Sequence, residues 1–514
     1  METSVSPSND ILIGRKSFLI VLSRFASAGL AFVGLYFMTR YYVPDVYGSI
    51  AWTLSFVNTF NAVADLGFNA AHIKRVSEGN DIHDCLSTFL VVKAFLTSIM
   101  VLTTIVSVLL WSSFSGEQFS QSTLELIMLF VLYSVFYDLA SIATTTFDGR
   151  VETAKTQISV IMDPLIRIPL IAIVSINRLD ATYLAYAYVL GGLTVAIVSL
   201  TILMKGRYRF VKPTLFKSYI KFAFPIALIS IMGAISANAD KLLIGLFWSD
   251  AYVGFYSASQ STLGLFSVIG VAVSTITFPT FSKMHRAGNL IDVRKKTRIA
   301  ERYISMIAIP IVVVILLFPS EIAIILFAEK FAEASGPLRF LSISMLLGLL
   351  NGVYASQINA VDRPDITAKL TLLSLSVNLT MLLIFVPPNI NGITMLGLGA
   401  TGAAIANVIT ASTVFFATRL VVRRLTNTRS NPRILLHVVA GIITGCVLYL
   451  ISFTWPMVRW YDLIGYGIIS VGVFLIILYL LRELTKEDIH YFLSVVSPGG
   501  MKEYLKSELR KKDQ

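Results

Sequence analysis

Runs of about twenty apolar residues recur from one end of the chain to the other, and no other feature constrains the fold as much. Wound as a helix, a run of that length crosses the hydrocarbon core of a bilayer. Fourteen spans are read, near residues 17–39, 48–70, 85–111, 122–146, 157–176, 181–204, 222–247, 252–281, 303–318, 337–359, 370–387, 398–418, 434–453 and 462–481. Each is expected to be helical, because lipid offers backbone polar groups no partner outside their own helix. The expected fold class is an all-α polytopic membrane protein. Only 14% of the residues are charged, against about 25% in a soluble domain. That excludes a soluble enzyme, a nucleic-acid-binding domain and a disordered chain. Arg15 and Lys16 precede a run too long for a cleaved signal, so that run reads as a retained first span.

Basic residues orient the spans. Of 42 Lys and Arg, 33 fall in the tails and even-numbered loops, and four (Arg40, Arg178, Lys330, Arg459) in odd-numbered loops. Positive charge stays on the cytoplasmic side, so both termini are expected there, in a multi-pass protein of the cell membrane. All five Trp then fall at the outer boundary, where amphipathic rings favour the headgroups. The basic loops set topology and attract anionic membrane lipids, and no nucleic-acid partner is expected. Cys85 and Cys446 give neither a disulfide framework nor metal-ligand spacing.

The chain carries an internal duplication. Asp148-Gly-Arg-Val-Glu-Thr-Ala-Lys155 before span five matches Asp362-Arg-Pro-Asp-Ile-Thr-Ala-Lys369 before span eleven, at an offset of 214. Asp45-Val-Tyr-Gly48 after span one pairs more weakly with Asp250-Ala-Tyr-Val-Gly254 after span seven. Six spans per copy is an even number, so the copies run parallel. The expected organisation is two parallel six-helix lobes, residues 1–212 and 213–425, followed by two further helices and a basic tail in 426–514.

Several blocks then resemble a known family. Tyr47-Gly48 through Ala64-Asp65-Leu66-Gly67 is one. Asn238-Ala239-Asp240-Lys241-Leu242-Leu243-Ile244-Gly245 is a second, followed by Gly254-Phe255-Tyr256-Ser257-Ala258 and Phe278-Pro279. A third runs from Gly397 to Ala406. Together, over about residues 10–425, they resemble the polysaccharide-transporter proteins, the Wzx-like oligosaccharide flippases of the multidrug/oligosaccharidyl-lipid/polysaccharide exporter superfamily. The resemblance implies a two-lobed fourteen-helix fold, alternating access, and a polyisoprenyl-linked glycan as cargo, with glycan-assembly enzymes as further partners.

Ionisable groups inside spans are costly and are candidates for function. Arg24 and Lys93 lie about a third of the way through spans one and three. Asp65 and Asp138 reach similar depth in spans two and four. Asp163 and Arg167, four apart in span five, share a helix face and can pair. Arg24, Lys93, Asp65, Asp138 and Arg167 are the candidate substrate-binding residues, the cations suiting a lipid-linked phosphate. Each has a structural alternative: Asp65 as a helix cap or the partner of Lys74 or Arg75, Asp138 as the neutraliser of Lys93, Asp163–Arg167 as a closed pair. Arg24 has the least obvious local partner. The second lobe offers neutral groups instead: Ser236, Asn238, Ser259, Gln260, Asn351 and Gln357. These suit sugar hydroxyls but also serve as interhelical glue, the reading favoured for most of them. Lys241 and Arg339 are expected to snorkel outward. Small residues of spans seven (Gly233 to Ala239) and twelve (Gly399 to Ala406) are expected to allow close helix approach.

The leading reading is a flippase for a lipid-linked oligosaccharide, from cytoplasmic to outer leaflet, with no catalytic role and no cofactor or metal. No Walker A pattern is present. A multidrug antiporter of the same superfamily is the second reading, and a membrane glycosyltransferase or polymerase the third. The short odd loops, poor in acids, disfavour the third.

Overall fold

The computed structural model describes residues 7–115, 118–361, 363–429 and 431–484, with side chains of the first helix from Leu19 onward. The described part of the C-terminal basic tail therefore ends at Leu484. Asp362, one end of the repeated loop, also lies outside the described residues.

The first half comprises α1 (Pro7–Tyr41), α2 (Pro44–Asn61), α3 (Phe68–Ser77), α4 (Ile82–Ser115), α5 (Gln121–Gly149), α6 (Thr153–Ile176) and α7 (Ala181–Met204). The second comprises α8 (Phe216–Phe247), α9 (Asp250–Arg286), α10 (Leu290–Leu317), α11 (Pro319–Phe327), α12 (Ser335–Ala360), α13 (Pro364–Phe385) and α14 (Gly399–Thr426), with α15 (Ile434–Ser452) and α16 (Trp460–Leu480) following. A two-residue hairpin, β1 (Asn389–Ile390) with β2 (Ile393–Thr394), joins α13 to α14. Among the described residues, 13 helices are long and apolar enough to cross a membrane. The fold is therefore the expected all-α polytopic membrane bundle.

The remaining expected span, 48–70, is a correction: it is not one helix. α2 stops at Asn61, a 3₁₀ turn covers Ala62–Ala64, and α3 starts at Phe68. Leu66 and Gly67 take φ of 42° and 78°. An added Cβ on Gly67 would lie 2.9 Å from the Ala223 carbonyl oxygen and 2.8 Å from Ile226 Cβ. Only glycine combines that left-handed backbone with so close an approach of α8. By contrast Pro164, Pro225 and Pro310 all sit inside unbroken helices.

Packing repeats six spans apart. α1 packs on α6, and both α5 and α6 pack on α7; likewise α8 packs on α13, and both α12 and α13 pack on α14. Contacts between the halves are reciprocal: α1 lies on α9, and α8 lies on α2. α15 and α16 attach to α10. Glu483, just beyond α16, accepts from Arg302 of α10 at 2.7 Å and lies 3.6 Å from His437 of α15.

The largest core, shared by helices of both halves, lies at the end away from the basic loops. There Leu35, Met38, Tyr47, Ile50 and Trp52 pack in the same cluster as Ala239, Ile244, Val253, Phe255 and Leu263. At the basic end two smaller cores form. One joins Phe281, Ile304, Val353 and Phe415 within the second half. The other joins Ala71, Phe89 and Phe147 with Tyr219 and Ala223, from the first turns of α8.

Candidate functional site

The break in span two organises three of the candidate residues. A broken helix inside a membrane is tolerated where protein groups satisfy the freed carbonyls. Lys93 of α4 does so, donating to the Ala64 carbonyl at 2.9 Å. Its ammonium also pairs with Asp138 of α5 at 2.8 Å, and Thr97 donates to the other Asp138 oxygen at 3.1 Å. Both side chains are buried, Lys93 at 3% and Asp138 at 7% exposure. Asp65 receives the Asn69 backbone N–H at 3.0 Å, capping the start of α3. It has no recorded bond to Lys74 or Arg75; Arg75 pairs with Glu78 instead at 2.6 Å.

Arg167 and Asp163 form a second unit, at 2.8 Å along α6. The guanidinium also lies 4.4 Å from the ring centre of Tyr188 on α7. Gly191 of α7 makes room for this pair, since a Cβ there would sit 2.2 Å from an Asp163 oxygen. Tyr133 and Tyr188 pack edge to face beside it. The interior of the first half is thus filled by an ion pair and tyrosines.

Arg24 stands apart from both units. It is exposed on α1 and makes no ion pair or hydrogen bond with any described residue. It lies five residues beyond Leu19, about 8 Å further along the helix axis.

The second half is built differently. Asp240 is buried and accepts from Tyr256 and from the Lys241 backbone. Lys241 does not snorkel away: its ammonium donates to Gln260 at 2.7 Å. Arg339 is exposed. Two of the neutral groups act as glue: Ser259 donates to the Ala334 carbonyl, and Gln357 to Thr426 and Thr428, while Asn238 donates to the Ala234 carbonyl of its own helix.

Ser236 and Asn351 instead line open space. A cavity of about 390 Å³ lies among α8, α12, α13 and α14, and one of about 250 Å³ adjoins it. Ser236, Asn351, Ser374 and Val414 line both. The small residues of span seven, expected to draw helices together, serve this space. Gly233 has no atom within 4 Å of an added Cβ. In α14 the expectation of close approach holds: a Cβ on Gly402 would meet the Phe385 carbonyl oxygen at 2.4 Å. Ser344, Asn378 and Thr418, which also line the space, are residues the sequence reasoning missed. Ser, Thr and Asn occur in most membrane helices as glue. A single sequence carries no signal that separates these three from the rest.

Where the halves meet, the helices interlock through two glycines. A Cβ on Gly48 of α2 would lie 1.7 Å from the Asp250 carbonyl oxygen, and one on Gly254 of α9 would lie 2.3 Å from the Pro44 carbonyl oxygen. Tyr47 bonds Ser261 at 3.2 Å, and Arg40 donates to the Ile325 carbonyl at 2.9 Å. Toward the basic end the first turns of α8 hold to the first half: Tyr219 lies 2.8 Å from His72 Nδ1 and donates to the Cys85 carbonyl at 3.3 Å, and Arg75 donates to the Ser218 carbonyl at 3.3 Å.

A bundle of two halves with repeated helix packing, a shared core at one end and buried ion pairs has the architecture of a membrane transporter. Solved structures share its fold. The lipid II flippase MurJ, in an inward closed conformation, aligns over 91% of this chain and 99% of its own, with a TM-score of 0.75 and 15% identity. An inward-facing multidrug resistance MATE family transporter covers 80% of this chain and 100% of its own, with a TM-score of 0.63 and 15% identity. The chain belongs to the polysaccharide biosynthesis protein family, whose model matches residues 13–285. The resemblance carried by the sequence blocks is thereby borne out. Among curated relatives, the probable low-salt glycan biosynthesis flippase Agl15 of Haloferax volcanii is 23% identical over 401 residues, 77% of this chain and 80% of the relative. The probable flippase AglR of the same organism is 27% identical over 173 residues, 33% of this chain and 34% of the relative.

Proposed function

We propose that this protein is a flippase that carries a polyisoprenyl-phosphate-linked oligosaccharide from the cytoplasmic to the outer leaflet of the cell membrane. It acts by alternating access and without catalysis, for assembly of surface polysaccharide or glycoprotein glycan. Both termini are cytoplasmic in this reading, and the two halves are lobes that rock about the joint core at the outer end. The name of the relative Agl15, a probable glycan biosynthesis flippase, supports the cargo class, and the repeated packing pairs support the lobes.

The observation that carries the reading is Arg24. The other deep charges of the first half are engaged: Lys93 by Asp138, Arg167 by Asp163, and Asp65 as a cap. Arg24 alone of the five candidates is exposed and unneutralised by any described residue. An arginine inside a span is costly, by at most about 2.5–3.5 kcal/mol at the helix centre on insertion scales and less at the depth of Arg24, so its retention favours a wet cavity and an anionic visitor. A guanidinium binds phosphate oxygens bidentately. The same inventory disfavours a drug-cation site, because the deep carboxylates of this half already have partners.

The test is leaflet transfer in proteoliposomes loaded with lipid-linked oligosaccharide. The wild-type chain should transfer it. Arg24→Ala should abolish transfer at unchanged abundance, and Arg24→Lys should keep part of it, since charge survives but the fork is lost. Full transfer by Arg24→Ala would remove Arg24 from the site. No transfer by the wild-type chain would end the flippase reading.

A further inference from the structure

The cavity inside the second half holds more unmet hydrogen-bonding capacity than a packed bundle leaves. Four buried side-chain atoms on its walls have no partner: Ser344 Oγ, Asn351 Oδ1, Asn378 Oδ1 and Thr418 Oγ1. Asn378 is 3% exposed and Thr418 1%. Orphaned buried polar atoms are few in native proteins, and each asks for a ligand or water to complete it. Here four belong to residues that line one space.

The chemistry of the walls narrows the ligand. They carry amides, hydroxyls, glycines and apolar groups, and no charged side chain lines either part. A phosphate or a drug cation would find no counter-charge there. A neutral molecule rich in hydroxyls or acetamido groups matches the walls, with the Asn and Ser or Thr groups free to donate or accept. The corresponding helices of the first half, α5, α6 and α7, enclose the Asp163–Arg167 pair and its tyrosines instead. The two halves have therefore filled equivalent positions oppositely.

We infer that the cavity among α8, α12, α13 and α14 is a sugar-binding subsite that receives neutral residues of the glycan head of the cargo. The inference rests on the flippase reading for the identity of that glycan. The phosphate end is left to the cation of α1, so the cargo is held at two chemically distinct places.

Two glycines allow the cavity to be filled without displacing anything. Gly233 of α8 and Gly348 of α12 line it, and an added Cβ at either meets no atom within 4 Å. Replacing a helical glycine also favours the helix. The probe is the free oligosaccharide released by mild acid from the lipid-linked oligosaccharide of the host's membranes. Its binding to the purified full-length protein is measured by calorimetry, which requires no transport. The wild-type chain should bind it. Gly233→Leu, Gly348→Leu and the double change Asn351→Ala/Asn378→Ala should each weaken binding about tenfold or more, as expected when a site's polar groups or space are lost. The thermal midpoints of the two glycine variants should not fall. Wild-type failure to bind, or wild-type affinity in the glycine variants, would overturn the inference and leave a hydrated void only. Leaflet transfer is read separately: a chain that transfers the lipid-linked cargo yet binds no free sugar loses the subsite and keeps the flippase reading. A chain that binds the sugar but transfers nothing loses that reading instead.

Discussion

Lys93 and Asp138 show how a charged pair inside a membrane can be structural. Their side chains are buried at 3% and 7% exposure, and Lys93 also holds the carbonyl that the broken helix leaves free. Removing one partner strands the other charge, which in buried pairs costs about 3–5 kcal/mol. Lys93→Met and Asp138→Leu should each lower the thermal midpoint and abundance sharply. The double variant should recover much of the loss, though not all, because the Ala64 carbonyl stays unmet. A double variant less stable than both singles would show that the pair does not act as a unit. At this scale the sequence was legible wherever spacing or depth brought charges together. Asp163 and Arg167 stand one helical turn apart, and Lys93 and Asp138 share a depth on neighbouring spans. Lys241 was misread because its partner Gln260 lies on the next helix, a contact that hydropathy does not encode. The orphaned Asn378 and Thr418 were beyond reach, since a missing partner is a property of three-dimensional packing.

Among the elements, span two departs most from its sequence reading. Hydropathy alone suggested one crossing, whereas the chain breaks between Asn61 and Phe68 around a left-handed Gly67. Asp65-Leu66-Gly67 carries the signals: the sequence offers Asp65 as a cap at the inner end of span two, yet apolarity carries the span on to residue 70. Pro164, Pro225 and Pro310, by contrast, lie inside helices that run on past them. Proline leaves only the carbonyl four residues back without its donor, so a helix can continue past it. The break makes a sharp prediction. Gly67→Ala combines a φ of 78° with a Cβ less than 3 Å from α8, so it should destabilise the fold by about 1–3 kcal/mol. Unfolding in detergent, followed by the fluorescence of the native tryptophans, would register it. An unchanged midpoint would mean that α8 does not press on the break.

For the whole molecule, the division into spans could be read from apolar runs, because that pattern is one-dimensional; the parallel repeat is proposed from the matching loops. The pairing of helices six spans apart and the joint core at one end could not be read that way, because they depend on which faces meet. Orientation stays a prediction from the basic loops. Cysteines placed at Asn391, in the hairpin between α13 and α14, should react with an impermeant reagent from outside, while those at Asn289 and Asn427 should react only after permeabilisation. All three positions are exposed, so the opposite pattern would invert the molecule. The central claim is that cargo crosses only when the outer joint between the lobes opens. Tyr47 of α2 and Ser261 of α9 meet at 3.2 Å across that joint. The most direct measurement is leaflet transfer of lipid-linked oligosaccharide by a chain carrying Tyr47→Cys and Ser261→Cys, with Cys85 and Cys446 replaced by alanine. The pair is joined by a cleavable thiol crosslinker. Transfer should proceed before crosslinking, stop when the joint is closed covalently, and return when the crosslink is cleaved. Undiminished transfer by the fully crosslinked protein would contradict alternating access through this joint.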